Sequence, residues 1–85
     1  MRELTDGDSW IAARRQAIGG RVRAARLAQN ATQEQLHLAA GIDRVTLQRV
    51  EAGEDTLVST LLRIAPALEV PLSELVVEEA DRPGR

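Results

Sequence analysis

The sequence predicts an all-α domain over residues 9–77, and three observations predict it. Thr32 and Gln35 stand three positions apart, the spacing of a capping box at a helix start. Gly41 and Asp43 then supply a helix stop and a new N-cap almost back to back. On both sides of that break, apolar residues recur at helical spacing: Leu36 and Ala40, Leu47 and Val50, then Leu57, Leu61, Ile64, Ala65 and Leu68.

Each element follows from local signals. Residues 1–8 are polar and acidic, contain Gly7, and read as a flexible N-terminus. Ser9 can cap a helix opening at Trp10, with Trp10, Ala13, Ala17 and Ile18 on one side and Trp10 as packing anchor. Gly19-Gly20 costs a helix interior about 1 kcal/mol per glycine. The helix therefore either breaks there, leaving an extra N-terminal helix, or runs on to Gln29 because tertiary packing allows it. From Arg21 the next face carries Val22, Ala25 and Gln29, and Asn30-Ala31 is a short link.

A second helix opens at Gln33 and ends at Gly41, which can take a positive φ. Asp43 caps a third, buried through Leu47 and Val50 and closed by Ala52-Gly53. Two short helices flanking one glycine, at residues 32–51, are a helix-turn-helix written in residue types. Thr56 or Ser59 caps a fourth helix, which Pro66 must kink or shorten. Pro71 stands early in a last short helix with Leu72, Leu75 and Val76. Residues 78–85 read as a disordered tail.

Composition excludes several classes. The 85 residues make one small domain with a thin core. With no cysteine and one histidine, His37, neither a disulfide nor a metal site is expected. One aromatic residue, Trp10, offers no stacking platform for single-stranded nucleic acid. No apolar run has membrane-spanning length and no signal-peptide core is present, so a cytoplasmic protein without membrane partner is expected. Ser9, Ser59 and Ser73 have no histidine in a recognisable arrangement, and the carboxylates are scattered. Gly19-Gly20 lacks the fingerprint of a phosphate loop. No enzyme and no cofactor are expected.

The net charge of −2 conceals an asymmetry. Between 14 and 49 stand Arg14, Arg15, Arg21, Arg23, Arg26, Arg44 and Arg49 against Glu34 and Asp43. From 50 onward eight acids face Arg63, Arg82 and Arg85. A DNA-binding face needs local positive charge, and the front half has it.

The segment from Thr32-Gln33-Glu34 through Leu36, Gly41-Ile42, Asp43, Thr46-Leu47 and Val50-Glu51-Ala52-Gly53 resembles the lambda-repressor-like helix-turn-helix family. The likeness extends to Ile18–Arg26 before it and to Thr60–Ala65 and Leu68–Leu75 after it, about residues 18–76 in all. It implies a five-helix, lambda-repressor-like domain that binds double-stranded DNA through its third helix. By this resemblance Arg44, Val45, Gln48 and Arg49 face bases. The two arginines are suited to guanine O6 and N7, and Val45 to a thymine methyl. Thr32, Gln33, Thr46 and Arg23 touch phosphates, Gln33 at a helix N-terminus. Arg26 and Glu51 form a structural ion pair. His37 replaces the small residue usual in the family, so it either packs partly buried or tilts the third helix. The loop Glu54-Asp55 is acidic where relatives are often basic, which predicts fewer phosphate contacts there.

The expected function is transcriptional repression by a homodimer on a palindrome, since one domain makes few base contacts. Leu57, Leu61, Leu72, Leu75 and Val76 are the expected dimer surface, being more than a thin core needs. A phage- or plasmid-type repressor, a restriction–modification controller and an antitoxin all fit the size. The alternative is a protein-interaction module, such as an antitoxin, that binds a partner protein through its acidic C-terminal half.

Overall fold

Five helices follow one another in the computed structural model, which describes Met1, Glu3 and residues 7–78. They are α1 (Ser9–Ala28), α2 (Gln33–Ala40), α3 (Arg44–Glu51), α4 (Val58–Ala67) and α5 (Leu72–Val76). Part of the N-terminal segment, and the tail expected at 78–85 apart from Glu78, lie outside the described residues. α1 packs on α3 and α5, and α2 packs on α3 and α4.

All five helices contribute to one core. Val22, Leu36, Ala40, Leu47, Val50, Leu61, Ile64, Ala65, Leu68 and Leu75 are buried together. Leu47 and Ile64 have no exposed surface, and burying side chains of that size contributes about 1.5–3 kcal/mol each. Leu61 and Leu75 are 7% and 1% exposed. They belong to this core and not to the dimer surface expected of them, because so small a domain needs every large aliphatic side chain its short helices can turn inward. Leu57 does the reverse: it was expected on the buried face of the fourth helix but precedes α4 as its N-cap and is 71% exposed. Neither Thr56 nor Ser59 caps that helix.

No separate N-terminal helix exists among the described residues; α1 runs unbroken through Gly19-Gly20 for 20 residues. The reason is a close crossing. A Cβ at Gly19 would overlap the Val50 carbonyl oxygen and approach Glu51 O to 3.1 Å, so glycine lets α1 lie against the end of α3. Trp10 is 44% exposed. It is not the anchor expected of it, since the first turns of α1 precede Ile18 and Val22, where contact with the core begins. Asp8, not Ser9, occupies the N-cap position of α1.

The first four helices all end in the same way. Asn30, Gly41, Gly53 and Glu69 are left-handed, at φ 56°, 70°, 87° and 60°. The following residue in each case donates back five positions, as in Ala31 N–H to Arg26 O and Val70 N–H to Ala65 O. This is the Schellman closure, which satisfies carbonyls the helix leaves open. Pro66 lies inside α4, one residue before its end; it lacks the N–H that would bond the Leu62 carbonyl, and the helix stops one residue later.

Candidate nucleic-acid interface

The two helices of the motif are set by their ends. Thr32 Oγ1 accepts from Gln35 N–H at 3.0 Å while Thr32 N–H donates to Gln35 Oε1 at 2.9 Å, a complete capping box. Gly41 closes α2 in the left-handed conformation and turns the chain into α3. Asp43 stands at the N-cap of α3, though its side chain makes no capping bond. With Leu47 and Val50 turned to the core, the geometry of an α-helix leaves Arg44, Val45, Gln48 and Arg49 outward, and all four are exposed.

The far end of α3 is braced from beneath. Arg26 Nε donates to Glu51 Oε2 at 2.8 Å and Arg26 Nη2 to Glu51 Oε1 at 2.9 Å, a fork-to-fork pair. The two side chains are 9% and 4% exposed. Arg26 Nη1 also donates to Ala31 O at 2.9 Å, and Gln33 Nε2 to Glu51 Oε1 at 3.2 Å. One carboxylate thus ties α1, α2 and α3 together. Gln33, expected to meet a phosphate, is half-buried with its amide turned to Glu51. Its backbone N–H opens α2 and points along the helix N-terminus. Thr32 is exposed and Thr46 half-buried, and Arg23 is exposed on α1.

His37 packs partly buried. Its Nδ1 lies 2.9 Å from Ile42 O and its Nε2 3.1 Å from Glu34 Oε2. The ring therefore bridges the turn that separates the two helices.

The arginines of the front half divide into two sets. Arg14 Nη2 donates to Val76 O at 2.6 Å and faces Glu78 at 3.6 Å, Arg15 Nε donates to Gly53 O at 3.3 Å, and Arg21 Nη1 to Leu75 O at 3.5 Å. With Arg26, these side chains close helix ends within the domain. Arg44 makes only an exposed contact of 3.7 Å with Glu34. Among the described residues Arg23 and Arg49 have no side-chain hydrogen bond or ion pair, and both are exposed. Arg49 shares a shallow depression with Thr46, Asp55, Thr56, Leu57 and Thr60. Asp55 is exposed, as is Glu54 before it, so the loop brings negative charge to this depression through Asp55.

Glu34 is the residue that sequence reasoning passed over. Its i, i+3 spacing to His37 was a usable signal. Its reach to Arg44 depends on the angle of the turn and was not. Among the described residues no group of three or more His, Cys, Asp or Glu is placed to hold a metal, and no helix is long and apolar enough to cross a membrane.

Comparison with known proteins agrees with this geometry. A family model described as helix-turn-helix matches residues 22–75. The restriction-modification controller protein C.AhdI from Aeromonas hydrophila is similar at 33% identity and a TM-score of 0.70, over 74% of this chain and 97% of that one. The hypothetical transcription factor NHTF from Neisseria is similar at 25% identity and a TM-score of 0.75, over 96% of this chain and 91% of that one. No curated protein matches.

Proposed function

We propose, from the premise that this chain belongs to the lambda-repressor-like helix-turn-helix family of DNA-binding transcriptional regulators, that it represses transcription as a homodimer bound to a palindromic operator. α3 enters the major groove, where each base pair shows a distinct donor–acceptor pattern. Arg44 and Arg49 read guanine edges, Val45 contacts a thymine methyl and Gln48 lies between them. Thr32, Gln33, Thr46 and Arg23 hold the phosphates on either side, Gln33 through the N–H at the start of α2.

The observation that carries this reading is the contrast among the arginines. Four of them close helix ends or hold Glu51, while Arg49, on the outward face of α3, has no partner among the described residues. An unpaired guanidinium beside Val45, Gln48 and Arg44 is free to meet a base edge.

A single copy contributes only the contacts of one short helix, so useful affinity calls for two copies on half-sites about one helical turn apart. Leu57, Val58 and Leu62, exposed by 71%, 66% and 53%, support a dimer contact around the start of α4. Val76, at 36%, and half-buried Leu72 support an extension toward α5. Of the regulatory roles compatible with this size, the likeness to C.AhdI favours a restriction–modification controller.

Titration of labelled duplexes at several salt concentrations tests the reading. Binding that neutralises phosphates weakens steeply as salt rises. Absence of duplex binding at low salt would instead favour the protein-interaction reading, which the exposed Glu54 and Asp55 support.

A further inference from the structure

Glu34 stands between the turn and the base-reading helix. Its Oε2 lies 3.1 Å from His37 Nε2 and 3.7 Å from Arg44 Nη1. His37 is itself fixed: its side chain is 15% exposed and its other ring nitrogen is 2.9 Å from the Ile42 carbonyl oxygen. The result is a chain of contacts, from the Ile42 carbonyl through His37 and Glu34 to Arg44, that spans the helix-turn-helix joint. Glu34 and Arg44 are each 56% exposed, so the last link is open to exchange with an incoming ligand.

We infer that Glu34 is a specificity-determining residue that positions Arg44 and holds it from indiscriminate contact with phosphate. This rests on the reading of α3 as the base-reading helix. An untethered guanidinium gains from the phosphates of any duplex, whatever its sequence. A guanidinium held by a carboxylate must leave that partner first. A single phosphate contact offers little advantage over Glu34. A guanine edge, which takes two parallel hydrogen bonds in fixed geometry, offers more. The carboxylate therefore acts as a competitor whose effect falls hardest on non-specific binding, and specificity is the difference between the two affinities. When His37 carries a proton on Nε2 it donates to that carboxylate and keeps it in place, which gives the bulky residue at this position a function.

The test uses the full chain and three kinds of duplex: the selected operator, the operator altered at the base pair Arg44 reads, and random sequence. Glu34→Gln should tighten binding to random sequence about two- to fivefold, the range of an exposed ion pair, while the operator changes less. Preference at that one base pair should fall. Glu34→Asp keeps the charge but shortens the reach, and should behave like Glu34→Gln. Both effects should vanish in an Arg44→Ala background. The inference is overturned if Glu34→Gln shifts operator and random duplex equally, if it shifts neither, or if Glu34→Asp behaves as the parent. An Arg44→Ala variant with unchanged base preference would instead remove Arg44 from base reading, and the inference with it.

Discussion

Arg26 and Glu51, 25 positions apart, meet through two parallel hydrogen bonds of 2.8 and 2.9 Å in the angle between α1, α2 and α3. The bond to Glu51 holds the Arg26 guanidinium above its usual pKa, against the opposing effect of burial. A raised folded-state value means that the pair contributes fully below the ordinary arginine range and is lost only as pH climbs through the raised value. The brace therefore stays charged at every neutral or acidic pH at which Glu51 is ionised.

Removing one partner is the first prediction. Arg26→Ala leaves the Glu51 carboxylate buried without its counter-charge, and should cost about 3–5 kcal/mol. Arg26→Lys keeps the charge but loses the fork, and should cost less. Urea unfolding followed by circular dichroism measures both. Equal stability of all three proteins would show that the pair does not brace the motif.

The two adjacent glycines of α1 should respond with opposite sign. Gly19→Ala places a methyl group against the Val50 carbonyl, which is backbone and cannot rotate away. Overpacking of this kind costs about 1–3 kcal/mol. Gly20 has nothing within 4 Å of its would-be Cβ, so Gly20→Ala should gain about 1 kcal/mol through helix propensity. Thermal midpoints that move in the same direction would contradict the close crossing of α1 and α3.

Glu69 closes α4 in a conformation at φ 60° that disfavours residues with a Cβ. Glu69→Gly relieves that cost but loosens the unfolded chain, for a net gain of about 0.5–1 kcal/mol. At this size the midpoint should rise by a few degrees, roughly 4–8 °C per kcal/mol. A lower midpoint would mean that the Glu69 side chain makes a contact worth more than the strain.

Gln33 has a place at the phosphate backbone by position and a bond to Glu51 by geometry. Gln33→Ala keeps the backbone N–H but removes the amide bond to Glu51 that seats the start of α2, so it should weaken binding to every duplex modestly and alike, because phosphates carry no sequence. A loss confined to particular sequences would assign Gln33 to the bases.

Much of the motif could be read from the chain because its signals are local. Thr32 and Gln35, Gly41, and the Leu36–Ala40 and Leu47–Val50 pairs each act within a turn or two of helix, and the structure follows them residue for residue. The family resemblance carried the one long-range link that was anticipated, Arg26 to Glu51. What the sequence could not show was the destination of side chains whose partners are remote. Arg14 reaches Val76, Arg15 reaches Gly53 and Arg21 reaches Leu75 across 62, 38 and 54 positions, and no spacing rule connects them. Counted as charges they enlarge a DNA-binding face; placed in the fold they close helix ends. Leu61 and Leu75, expected on a surface, lie in the core for a related reason. Periodicity says that a residue is on an apolar face, but only packing says which apolar faces the core takes up.

Selection of bound duplexes from a random pool, performed in parallel with the parent protein and with Arg49→Ala, bears most directly on the outward face of α3 as a reader of bases. The parent should enrich a defined palindromic motif. The variant should bind that motif with a loss of roughly 1–3 kcal/mol per half-site and lose preference at one base pair in each, with the rest of the motif retained. Enrichment of no motif by the parent, or of the same motif with undiminished affinity by the variant, would contradict the account.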